Sequence, residues 1–486
     1  MRSLLLALAV AALFVTGCRH READADAAVV ARWRFRGVEE LGKGDRVPAF
    51  KATLGIPEAA PVKPRAATNL ADQLVIRLTG ATNGVLAAQL RPLVQAVAQY
   101  ESAGEITAEG WSLAVQVPPA ESAAVQSSVM ALPPMAGQAA VQPQVRYTNG
   151  WLLAGSAAAR LGRAASLPAL GANGLLTGDF DLAVIGKVDP KKWPRVHLEF
   201  FATNGTVRTT GRLSFASAPA GDLPAWKIPD TLIHDPIIHF GAARGIGSLL
   251  AGNPWFEVLS GGKVPDQLCM WSQPGALFRT WIAAPADDGL ARIPRIQTAL
   301  DARVSTNAPV GQYVGVTLLS SNKSSIAVYN PTGPRGIMPT IGVARLKDQD
   351  FLMASVLRPA RSTNPVPAEL LGELNKPDLV YYDWELTGEA YLQWNVLVQY
   401  NKLVRGLRAN ALLPRSHTWM LAAAPKFGNA VTTVRRVSPT EFALDRSSSA
   451  GLTSLEWIML TRFLDGPIVE LRGMALPPGF GVPVRR

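Results

Sequence analysis

From Leu74 onward the chain switches repeatedly between two hydrophobic periods, and the switches predict most of its elements. Leu86, Leu90, Val94 and Val97 recur at helical spacing, with Pro92 marking a kink or an early end. WSLAVQV puts Trp111, Leu113, Val115 and Val117 on one face at period two, the pattern of a half-buried strand. ARWRFRG, nearer the start, also alternates: Arg32, Arg34 and Arg36 share one face, Trp33 and Phe35 the other. It reads as an edge strand with solvated arginines, or as a strip resting on anionic headgroups. LVIRL at 74–78, DLVYYDWEL, HTWMLAAAP and EFALD are expected as further strands. Ala120–Leu132, EAYLQWNVLVQYNKLVRGL and LTSLEWIMLTRFL are expected as helices. Proline-rich 47–68 breaks both periods and reads as an irregular arm.

Turn chemistry joins these elements. The tripeptide TNG begins at Thr82, Thr148 and Thr203, and Asn-Gly favours the positive backbone angles of a tight hairpin. Asn204-Gly205 lies between two alternating runs and predicts an antiparallel pair, whereas Asn83-Gly84 precedes a helical run and reads as a strand-to-helix turn. RYTNGWLLAGSAAARLGRAASL repeats the order strand, turn, strand, linker, helix, as do the segments starting at Leu268 and Ile341. Their turns fall at Pro274-Gly275 and Lys347 to Asp350. The resulting expectation is an α+β fold: antiparallel sheets built from hairpin-then-helix units, with helices packed on one face. Pro and Gly between Ala216 and Pro224 divide it into domains at 67–218 and 225–486, the second open to further subdivision.

The first residues carry a different signal. Arg2 precedes an apolar run, Leu4 to Phe14, that is shorter than the roughly 20 residues a membrane-spanning helix needs. It has the layout of an export signal. The run closes on Val15-Thr16-Gly17-Cys18, which resembles the lipobox of bacterial lipoproteins. That resemblance implies a signal peptide at 1–17, diacylglyceryl transfer to the Cys18 sulfur, cleavage before it, and acylation, as with palmitate, of the new amino terminus. Residues 18–66 are then the lipidated cysteine, a tether and the irregular arm. In that family the residue after the cysteine influences sorting, and Arg19 is not the aspartate associated with inner-membrane retention. The outer membrane is the implied address.

Composition fits such a body. Hydrophobic residues make up 48% and charged residues 17% of 486, the balance of a globular chain with ample core. There are two cysteines, so with Cys18 lipidated Cys269 has no disulfide partner and reads as a small buried hydrophobe. A formal charge of +11 biases the surface toward anionic lipid or envelope polymers, while no basic run or RNA-binding signature points to nucleic acid.

Candidate chemistry is sparse. FGAARGIG, Phe240 to Gly247, resembles the TGxxxGxG turn of short-chain dehydrogenases, which would imply a nicotinamide cofactor. That turn belongs after the first strand of its domain and accompanies YxxxK, and no Tyr here has Lys four positions on. The stretch is read instead as a strand entering a short helix, and no cofactor is expected. His234 and His239 bracket Asp235, and with His197 they are the metal candidates; HExxH and paired cysteines are absent. No GxSxG occurs. Asp179 and Asp181 share one strand face, as do Asp383 and Glu385, and paired acids are the requirement for glycoside hydrolysis. The expectation is a membrane-anchored envelope lipoprotein with a non-enzymatic binding or structural role toward a protein or anionic polymer. An exported glycan hydrolase using those carboxylates is the alternative.

Overall fold

The computed structural model of the chain describes residues 29–465, apart from residues 44, 187 and 220 and the segments 134–141, 275–278, 308–314, 319–324, 330–339, 356–363 and 405–414. Cys18 and the tether therefore lie outside the described residues, as does Gly275 of the second expected turn. The chain forms two compact units. One runs to Ala216 and takes back Leu413–Gly428 and Glu441–Met474; the other holds Ser217–Leu412 and Asn429–Thr440. Within the segment 225–486 the chain thus returns twice to its first unit.

In the first unit the strands are β1 (Val29–Phe35), β2 (Ser102–Thr107), β3 (Gly110–Gln116), β4 (Gln144–Thr148), β5 (Trp151–Gly155), β6 (Gly174–Asp181), β7 (Arg195–Thr203) and β8 (Thr206–Ser214). They pair antiparallel in the order β4-β5-β3-β2-β1-β6-β7-β8, and the returning strand Glu441–Ser448 adds beside β8. One face is apolar. Trp33, Ile106, Val115 and Leu198 meet Leu93, Ala96 and Val97 of helix Gly84–Gln99 and Val125 and Val129 of helix Pro119–Met130. Trp33 faces Gly104 on one neighbouring strand and Gly178 on the other. A Cβ at Gly104 would stand 2.1 Å from the Trp33 ring, so the missing side chain makes room for the indole.

The opposite face is charged. One cross-strand row reads Glu105, Arg32, Asp179, His197, Arg212. β1 is accordingly a central strand and not the expected edge: the alternation of ARWRFRG is real, but its arginines are tied down. Arg32 binds Asp179 at 2.6 Å and Arg34 binds Glu101 at 2.8 Å.

Strands of the second unit are β9 (His239–Arg244), β10 (Gln267–Ser272), β11 (Thr280–Ala286), β12 (Gly315–Leu318), β13 (Ser325–Tyr329), β14 (Thr340–Leu346), β15 (Gln349–Ser355), β16 (Leu379–Leu386) and β17 (Asn429–Arg436). Their antiparallel order is β12-β13-β14-β15-β11-β10-β9-β16-β17. Phe240, Ala242, Cys269, Trp271, Trp281 and Tyr382 form the core on one face. On the other, helix Gly289–Asn307 sets Ile293, Ile296 and Leu300 against Ala286, Ile341 and Leu352. Both units are antiparallel sheet with packed helices, the α+β layer solution.

The two sheets also share one connectivity. The order β4-β5-β3-β2-β1-β6-β7 recurs as β14-β15-β11-β10-β9-β16-β17, with hairpin β12-β13 inserted ahead of β14. The repeat is therefore twofold and spans a whole unit. The three hairpin-then-helix segments are pieces of it: β4-β5 and β14-β15 correspond, whereas β10-β11 matches β2-β3.

Several local expectations change. LVIRL is not a strand: it lies within helix Val62–Thr79, whose Leu70, Ala71, Leu74 and Val75 follow helical spacing and pack on Leu90 and Val94. Region 47–68, expected irregular, holds helix Pro48–Leu54 and the start of that same helix, because its prolines sit in first turns where no N–H is missed. HTWMLAAAP belongs to helix Arg415–Ala423. Asn149-Gly150 and Asn204-Gly205 are tight hairpin turns with positive φ at both residues, 50° and 78°, then 49° and 76°. Asn83 instead separates two helices, and its side chain accepts from the Leu86 amide at 3.1 Å as an N-cap.

Candidate functional site

Residues of β9 and β16 face one another antiparallel, with His239 opposite Glu385 and Gly241 opposite Asp383. Side chains two apart share a face, so His239, Asp383 and Glu385 all leave the sheet on the side away from Phe240 and Tyr382. Exposures of 8, 6 and 2% show that the three are buried together. His239 Nε2 lies 2.8 Å from Asp383 Oδ1, a contact made diagonally across the ladder. Gly241 permits it, since a Cβ there would press on both groups, 3.3 Å from Asp383 Oδ1 and 3.4 Å from His239 Cε1. Burial works against charging the imidazole, but the neighbouring Asp383 and Glu385 outweigh it and raise the His239 pKa above its ordinary value. His239 Nδ1 is buried with no hydrogen-bond partner.

A second cluster occupies the charged face of the first unit. Asp179 accepts from Arg32 on one side and lies 2.9 Å from His197 Nδ1 on the other. Asp181 pairs with Arg195 at 3.1 Å and caps the Val184 amide. Beside them a cavity of about 550 Å³ runs along β1, β6 and β7 beneath the loop 167–174, lined by Arg32, Arg34, Thr177, Asp179, His197 and Glu199. The Leu167 carbonyl accepts from Arg34 in the cavity wall, and just past β1 the Gly171 and Gly174 carbonyls accept from Arg36.

The two clusters sit at corresponding places in the repeated connectivity. Asp179-Phe180-Asp181 ends β6 with Leu182 next, and Asp383-Trp384-Glu385-Leu386 ends β16, each acid-aromatic-acid-Leu. Their surroundings differ: Asp179 faces His197 on β7 where Asp383 faces Thr432 on β17, and Glu385 faces His239 on β9. Asp179 has Arg32 as its β1 partner, whereas Asp383 has Gly241 as its β9 partner.

The candidate residues are thus sorted differently from the way the sequence sorted them. His239 joins the acids Asp383 and Glu385, and His197 joins Asp179. His234 stands apart: its backbone pairs with Pro365 and its carbonyl accepts from Gln273. Ser416 lies on helix Arg415–Ala423, where its hydroxyl donates to the Thr461 carbonyl. Parity along each strand was available from sequence, but the β9–β16 pairing joins segments 144 residues apart, and no local signal announces it.

FGAARGIG is strand β9 followed by the short helix Gly247–Leu250. Its exposed-looking amides are taken: the Asp266 carboxylate accepts from Gly245 N at 3.2 Å and Gly247 N at 3.0 Å. An internal carboxylate occupies the place where a phosphate would bind. Arg244, in the middle of that stretch, is buried and donates to the carbonyls of Leu379, Pro224, Lys376 and Pro377, tying the segment 376–379 and the loop at Pro224 to β9. Comparison with family models, curated proteins and solved structures finds no match to this chain.

Proposed function

We propose that this protein is an exported lipoprotein of the bacterial envelope, held in a lipid leaflet by acyl chains on Cys18, outer membrane favoured. The single observation carrying the reading is the apolar run Leu4 to Phe14 closing on Val15-Thr16-Gly17-Cys18. No helix among the described residues is long and apolar enough to cross a membrane, so a lipid at Cys18 would be what tethers them. Its role there is binding, with an anionic polymer as the fitting ligand. The cavity along β1, β6 and β7 supports this in that Arg32, though paired with Asp179, keeps 47% of its side chain exposed there.

The glycan-hydrolase alternative draws little support from the geometry. Asp383 and Glu385 are too buried to meet a polymer, and Asp179 and Asp181 already hold Arg32 and Arg195. A hydrolase needs one carboxyl free to protonate a leaving group and a second open to the sugar.

Growth with labelled palmitate tests the proposal. Wild-type protein should carry the label and sediment with membranes, and Cys18→Ala should lose both. Unlabelled wild-type protein in the soluble fraction contradicts it.

A further inference from the structure

We infer that His239, Asp383 and Glu385 bind one divalent first-row transition ion, of which zinc is the working probe. The inference concerns the second unit alone and does not rest on the envelope reading. A ligand atom from each residue lies within 4.8 Å of the other two. Zinc held at about 2.0–2.1 Å sets tetrahedral ligands roughly 3.3 Å apart. The 2.8 Å contact between His239 and Asp383 therefore has only to open by about half an ångström. On binding, the ion replaces the proton shared in that contact.

Two observations beyond the grouping point to a ligand. His239 Nδ1 is buried without a partner, so the ring is incompletely satisfied as it stands. With no donor at Nδ1, that nitrogen can carry the ring proton and leave the Nε2 lone pair to the ion. The repeated connectivity supplies the other. Where the first unit sets Arg32 across the ladder from Asp179, the second sets Gly241 across from Asp383, whose contact is instead with His239. The space beside Asp383 Oδ1 and His239 Nε2, which a Cβ at Gly241 would enter at 3.3 and 3.7 Å, stays open. A cation in that space would stand beside Asp383, together with His239, as Arg32 stands beside Asp179. One imidazole and two carboxylates, without thiolate, suit zinc, manganese or ferrous iron better than copper(I). Cys269 projects into the core on the other face of the sheet and takes no part.

Full-length protein without a histidine tag, stripped with EDTA, is titrated with zinc against a chromophoric chelator. One tight equivalent per chain is expected. Losing a ligand should exceed the roughly 10–100-fold cost typical of a second-shell change, so His239→Gln and Glu385→Gln should abolish that equivalent while His234→Ala keeps it. Should those variants fail to fold, wild-type melting decides: zinc raises the Tm and EDTA reverses the rise. Absence of a tight equivalent, its survival in folded His239→Gln, or a wild-type Tm indifferent to zinc overturns the inference.

Discussion

Replacing Gly104 by alanine puts a methyl group where the Trp33 indole already lies. The added carbon would stand 2.1, 2.3 and 2.6 Å from three ring carbons. Carbon pairs settle near 3.5–4.0 Å, so the ring must retreat by about 1.4 Å. It has nowhere to go: Trp33 is 2% exposed, and on its other side Gly178 is packed against the Phe180 ring. Overpacking of this kind costs roughly 1–3 kcal/mol, and the closeness of the clash places Gly104→Ala at the upper end, about 3 kcal/mol. For a domain of this size that corresponds to a fall in Tm of roughly 6–12 °C. Urea and thermal unfolding of wild type, Gly104→Ala, Trp33→Leu and the double variant form the assay. Trp33→Leu should destabilise by itself yet absorb the added methyl, giving a coupling of about 1–3 kcal/mol. A Gly104→Ala protein melting within about 2 °C of wild type, or a coupling near zero, would refute the packing argument.

Other outcomes follow from single contacts. Arg446 donates to Glu456 at 2.7 Å with both side chains nearly buried, and the same carboxylate accepts from the Thr453 amide as a capping box for helix Ser454–Asp465. Glu456→Ala should cost about 3–5 kcal/mol in urea unfolding and Glu456→Gln, which keeps the cap, clearly less; equal losses would remove the cap from the explanation. Burial pushes the Cys269 thiol up to about 12, so in a Cys18→Ala background it should resist Ellman's reagent at pH 8 until the protein is unfolded. The unfolded thiol ionises near its ordinary value of 9.0 while the folded one stays protonated. Stability is therefore intact below pH 9 and declines above it, and Cys269→Ala should flatten that decline. Asn83→Ala should cost roughly 1 kcal/mol by removing the cap on Leu86 N.

The elements that could be read from the sequence are those whose own residues settle their shape. Asn204-Gly205 needs positive φ wherever it lies, and WSLAVQV alternates regardless of its neighbours. LVIRL reads either way because a run of four apolar residues in five suits a buried helix as well as a strand, and only Leu70 and Ala71 upstream complete the helical stripe. β1 was misplaced as an edge because exposed and ion-paired arginines look alike until Asp179 and Glu101 are brought to them. The same limit governed the site. His239, Asp383 and Glu385 could each be singled out by residue type, but their meeting depends on a long-range strand pairing, and the contribution of Gly241 is a missing side chain. The Asp266 carboxylate that fills the glycine turn is likewise 19 residues beyond Gly247, outside any motif.

The mass of the intact protein recovered from cell membranes bears most directly on the central claim. A chain beginning at Cys18 and heavier by a diacylglyceryl group and an amide-linked acyl chain is the predicted result. A chain of unmodified mass, still beginning at Met1 and found in the soluble fraction, would contradict it.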